Sequence, residues 1–108
     1  MSTHRIVGLG CALLAVAASL AADEPARIYA KSCAPCHGKE GRPSALFTQQ
    51  GVRDFTSAAW QKGTTDAEID KVIREGKKGT MMASFAGQLT PEETKSLVAY
   101  IRKLGPKK

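Results

Sequence analysis

The chain has 108 residues, enough for one domain and too few for two, because domains run from about 50 to 250 residues. It carries 16 Lys and Arg against 10 Asp and Glu, a formal charge of +6, which excludes an acidic character. One core and one basic surface must be explained.

The first twenty-odd residues are unlike the rest. His4 and Arg5 precede an uncharged run from Ile6 to Leu20, closed by Ser19-Leu20-Ala21. That layout is a secretory signal peptide, with small residues at Ser19 and Ala21 suited to cleavage after Ala21. Residues 1–21 are therefore read as the signal and 22–108 as the exported domain. An uncleaved anchor is the competing reading. It is disfavoured because the run from Ile6 to Ala22 is short and Ala-rich, whereas a spanning helix wants about 20 apolar residues. Cys11 reads as a small apolar residue of the discarded peptide, since Gly8 stands where a lipoprotein signal expects Leu.

The exported part keeps every charge but Arg5. Lys77-Lys78, Arg102-Lys103 and Lys107-Lys108 are groups that nucleic acid, an anionic membrane or an acidic protein would attract.

Asp23-Glu24-Pro25 marks a helix start, with an acidic cap and proline at the first helical position, and Ile28, Tyr29 and Cys33 follow at helical spacing. From Gly38 to Gly51, the glycines, Pro43 and unpatterned polar residues predict a loop. Ser57 predicts the cap of a short helix from Ala58 to Lys62, ended by Gly63, that turns Trp60 inward. Thr65-Asp66-Ala67-Glu68 is a capping box ahead of Ile69, Val72 and Ile73, with Gly76 as the stop. Thr90-Pro91-Glu92-Glu93 is a second one. Leu97, Val98, Ile101 and Leu104 follow at three- and four-residue spacing, and Gly105-Pro106 ends the helix. No segment alternates with the two-residue period of a strand. The fold class is all-α, and three or four short helices bury too little apolar surface to stand without an insert.

Cys33-Ala34-Pro35-Cys36-His37 supplies that insert. Cys-x-x-Cys-His is the attachment pentapeptide of c-type haem: two thiols add across the vinyl groups and the adjoining histidine offers an axial imidazole. A thioredoxin-like dithiol would need a strand before the motif, and a zinc site would need a second cysteine pair. A structural disulfide is open to any exported protein but leaves His37 unexplained. A carrier haem wants a second protein ligand. After loss of the signal His37 is the last histidine, so Met81 and Met82 are the candidates. A thioether ligand raises the reduction potential relative to a second imidazole.

On these residues the chain resembles the class I cytochromes c, from Tyr29 to Leu104. The family's Met-Pro-x-aromatic loop and following helix start are similar to Met82-Ala83-Ser84-Phe85 and Leu89-Thr90-Pro91 here. The resemblance implies Met82 as distal ligand, with Met81 the second choice because Ala83 replaces the proline. It further implies that Tyr29 packs against Leu97 and Tyr100 where the first and last helices cross, with Pro25 in place of the family's glycine. By the same likeness the Pro43 carbonyl accepts the ring N–H of His37. Phe55 and Trp60 are expected in the core or pocket wall.

The expectation is a cytochrome c-like fold wrapped around one covalent haem c. Cys33 and Cys36 attach it, and His37 and Met82 bind its iron. The protein is expected to be a periplasmic or otherwise extracytoplasmic monomer that carries electrons and is no enzyme. It would serve an acidic redox protein or a membrane oxidase or dehydrogenase complex, without nucleic acid and without stable membrane insertion after signal cleavage. Two rivals follow from the same residues. One is a five-coordinate haem protein that binds small ligands or turns over peroxide. The other is a thiol redox protein using Cys33 and Cys36.

Overall fold

The computed structural model describes residues 23–106; the expected signal, residues 1–21, and the Lys107-Lys108 pair lie outside them. Every regular element among the described residues is helical, with no strand. Helix α1, residues 23–28, passes without a break into a π-helical turn, Tyr29–Cys33, and then into α2, Ala34–His37. Asp23 and Glu24 are already inside α1, so neither is its cap and Pro25 is not its first residue. The π turn was not legible in the sequence; such turns are rare and frequently mark functional sites. Here it delivers Cys33 to the start of α2, one turn from Cys36.

The stretch read as a loop between Gly38 and Gly51 holds one more turn of helix, α3, Ala45–Gln49. Its N-cap, Ser44, makes no side-chain cap hydrogen bond, so no local signal announced it. Helix α4, Ala58–Gly63, begins as expected, with the Trp60 N–H donating to Ser57 Oγ at 3.1 Å. Both capping boxes form. Thr65 caps α5, Asp66–Glu75, and Thr90 caps α6, Pro91–Lys103, each exchanging hydrogen bonds with the Glu three residues on.

The buried apolar residues are Tyr29, Phe55, Ile69, Ile73, Leu97, Val98 and Ile101. Tyr29 and Tyr100 rings lie 5.1 Å apart and Leu97 is fully buried in the same cluster, so the first and last helices meet where Tyr29 was expected to join them. The C-terminal end of α6 is tied to the α4–α5 junction. Arg102 donates from Nε to Asp66 at 2.7 Å and from Nη1 to the Gln61 carbonyl at 2.8 Å. Gln61 in turn donates to the Phe55 and Ile101 carbonyls at 2.8 and 3.1 Å.

Candidate haem site

The helix that brings Cys33 and Cys36 one turn apart ends at His37, because Gly38 leaves the helical region with φ +89° and ψ 148°. That turn is tight: a Cβ on Gly38 would stand 2.0 Å from the Arg42 carbonyl oxygen, so only glycine fits. Tyr29 reinforces it from the core by donating its hydroxyl to the Gly38 carbonyl at 2.7 Å. The residue after the motif is therefore held from two sides, and with it the backbone of His37.

The His37 ring is fixed in turn. Its Nδ1 lies 3.1 Å from the Arg53 carbonyl oxygen, and its plane stacks on Phe55 at 4.2 Å between centroids, 14° from parallel. This corrects the expectation for Pro43. That residue is buried in the loop, but the carbonyl at the His37 ring belongs to Arg53. Burial lowers the His37 pKa, opposed by the Arg53 hydrogen bond. With Nδ1–H donating to Arg53, Nε2 keeps its lone pair, the form a metal requires.

Both thiols are free and half-buried. Burial pushes the Cys33 thiol up to about 11, which is the reverse of the depressed pKa a reactive dithiol needs. No cluster of three or more His, Cys, Asp or Glu side chains able to hold a metal ion occurs among the described residues. The thiol-redox and zinc readings thus gain nothing.

Cys33, Cys36 and His37 open onto a cavity of about 680 Å³, within the range of about 300–1,000 Å³ usual for cofactor sites. Met81 and Met82 line the same cavity. Its walls include Phe55, Trp60, Ile69 and Phe85, so Phe55 and Trp60 are both core and pocket wall. Their rings pack 4.9 Å apart. An apolar cavity carrying two unpaired thiols and an oriented neutral imidazole fits a haem. Met81 is 62% exposed, whereas Met82 is half-buried.

The methionine loop is seated on the end of α5. Gly76 turns the chain with φ +73° and ψ −178°. The Lys77 N–H then donates to the Met82 carbonyl at 3.0 Å, and the Phe85 N–H to the Ile73 carbonyl at 2.9 Å. The Thr80 hydroxyl donates to the Lys77 carbonyl at 2.7 Å and accepts the Met82 N–H at 3.2 Å. Sequence reasoning read Gly76 only as a helix stop and missed Thr80 and Arg53 altogether.

Comparison with known proteins agrees with this geometry. Residues 20–101 match the family model described as cytochrome c oxidase, cbb3-type, subunit III. The FixP subunit of the cbb3-type cytochrome c oxidase of Azorhizobium caulinodans is 34% identical over 85 residues, which are 79% of this chain and 28% of that protein. The CcoP subunit from Rubrivivax gelatinosus is 33% identical over 78 residues, 72% of this chain and 24% of that protein. The chain thus spans about a quarter of the length of these relatives. Dihydro-heme d1 dehydrogenase of Pseudomonas aeruginosa is 31% identical over 107 residues, with 95% of this chain and 20% of that protein covered. Among solved structures, the c-type cytochrome KustC0563 is similar at 40% identity and a TM-score of 0.69, covering 75% of this chain and 96% of its own. The motif, the helical frame and these matches converge, and the chain belongs to the cbb3-type oxidase subunit III family, as a c-type cytochrome domain with covalently bound haem c.

Proposed function

We propose that this domain is a single-electron carrier in which His37 and Met82 are the axial ligands and Cys33 and Cys36 the thioether anchors. Bound haem supplies the one-electron redox chemistry. The chain's own residues would attach it at Cys33 and Cys36, orient the His37 ring and hold the methionine loop in place. One observation carries the choice of Met82: it is the half-buried methionine of the pair and its backbone is fixed by Lys77 and Thr80, while Met81 points largely to solvent. A fixed thioether favours a carrier over a five-coordinate ligand binder, and no second imidazole competes for the distal position among the described residues.

The carrier reading makes the domain a non-enzyme. The dehydrogenase relative shares a stretch that is only 20% of its length, as expected of an electron-transfer module attached to separate chemistry. Residues 1–21 would direct residues 22–108 across the cytoplasmic membrane to a periplasmic or equivalent compartment. No helix among the described residues is long and apolar enough to cross a membrane. Arg53 and Lys77 stand at the cavity and Lys78 beside it in sequence, so an acidic redox protein or the acidic face of a membrane oxidase or dehydrogenase complex is the natural acceptor.

The test is optical. Ferric protein exported with haem-attachment machinery should show the weak long-wavelength charge-transfer band of methionine-ligated haem. Met82→Ala should abolish the band and lower the reduction potential, and Met81→Ala should leave both unchanged. Loss of the band in Met81→Ala instead would reverse the assignment.

A further inference from the structure

A helix leaves its last carbonyls without partners, and α5 finds donors for two of them in the methionine loop. Phe85 N–H serves Ile73 and the Ser84 hydroxyl serves Arg74. The Lys77 N–H donating to the Met82 carbonyl and the Met82 N–H donating to the Thr80 hydroxyl, which itself donates to the Lys77 carbonyl, close the loop on itself. Only the bonds from Ser84 and Phe85 attach it to the helix, and of these only the Ser84 bond comes from a side chain.

Two further facts bear on Ser84. It is exposed, so it contributes little to the packed core. Its hydroxyl oxygen also accepts the Ala86 N–H at 3.4 Å, which orients the hydroxyl hydrogen toward Arg74. Meanwhile Ala83, between Met82 and Ser84, has no ring to fix its φ and donates no hydrogen bond among the described residues.

We infer that Ser84 is the positioning residue for Met82, holding the distal ligand loop onto α5 by its hydrogen bond to the Arg74 carbonyl in place of the rigidity of a proline after the methionine. The inference rests on the reading of Met82 as an iron ligand. Ser84 does not line the cavity; it acts through the loop backbone.

An external ligand reaches the distal position only when the loop is away, so its apparent affinity scales with the fraction of open loop. Removing a net hydrogen bond should raise that fraction about fivefold. The experiment uses haem-loaded ferric protein titrated with imidazole, with the charge-transfer band and thermal melting recorded alongside. Ser84→Ala should bind imidazole about fivefold more tightly than the parent and show a weaker band. Ser84→Thr, which keeps the hydroxyl, should titrate like the parent. The same imidazole curve for Ser84→Ala and the parent overturns the inference, as does a Ser84→Thr variant that behaves like Ser84→Ala. A band that survives Met82→Ala refutes the ligand assignment and the inference with it. A band lost in Met82→Ala but untouched, with its imidazole affinity, in Ser84→Ala refutes the clamp alone.

Discussion

Replacing Gly76 with alanine tests the seating of the ligand loop at its tightest point. Gly76 has φ +73° and ψ −178°, a region essentially reserved for glycine, where any other residue costs about 1–3 kcal/mol. Its new Cβ would also stand 2.8 Å from the Met82 carbonyl oxygen and 2.9 Å from both the Ala83 carbonyl carbon and the Ser84 nitrogen. These are backbone atoms that cannot rotate away. Overpacking of this kind adds about 1–3 kcal/mol, for a total of about 2–6 kcal/mol.

The penalty can be met in two ways. If the loop stays, Gly76→Ala lowers the melting temperature of the haem-loaded protein by at least about 8 °C, at about 4–8 °C per kcal/mol for a domain this small. If the loop yields, the Lys77–Met82 and Phe85–Ile73 bonds break, and the charge-transfer band of methionine ligation falls. Gly63→Ala is the control. No atom lies within 4 Å of its Cβ, and at the end of α4 it should be neutral or stabilising by up to about 1 kcal/mol. A Gly76→Ala protein that melts within about 2 °C of the parent and keeps its band would refute this account of the loop.

Four other substitutions probe the remaining supports. Tyr29→Phe removes the donor to the Gly38 carbonyl, which retains the Gly41 N–H at 3.1 Å, so denaturant unfolding should register a loss of about 1 kcal/mol. Thr90→Ala deletes the α6 cap and should also lower stability by about 1 kcal/mol. The same box has a pH signature: the Thr90 N–H, donating at 2.8 Å, holds the Glu93 carboxyl below the usual carboxylate range. A depressed folded pKa gives stability that is present at neutral pH and lost as pH falls through that value, so the advantage of the parent over Glu93→Ala should narrow in acid. Ala83→Pro should fix the loop, stabilise by about 0.5–1 kcal/mol and weaken imidazole binding, the opposite of Ser84→Ala.

What the sequence disclosed was local. Thr65 and Thr90 signalled their helices because a capping box lies within four residues, and Cys33 to His37 is a contiguous pentapeptide whose chemistry needs no knowledge of the fold. The features that escaped are of two physical kinds. Some depend on backbone groups that every residue carries. The carbonyl at His37 comes from Arg53, and nothing about an arginine side chain announces that use, whereas the family likeness pointed to Pro43. The π turn at Tyr29–Cys33 is likewise a matter of hydrogen-bond register. Others join distant positions: Gln61 and Arg102 are 41 residues apart, and Ser84 meets the carbonyl of Arg74 only after α5 and its loop have folded back.

The core and the site share side chains. Of the seven buried apolar residues among those described, Phe55, Ile69, Ile73 and Ile101 also line the cavity. The cavity opens to solvent, so without a ligand water would stand against its apolar walls, and covering such surface with a flat apolar ligand is favourable by about 25 cal/mol per Å². Haem is such a ligand, and the proposed attachment at Cys33 and Cys36 would keep it there. The residues that wall the cofactor are thus the ones that complete the fold, and a substitution that shrinks Ile69 or Phe55 should weaken ligand geometry and stability together.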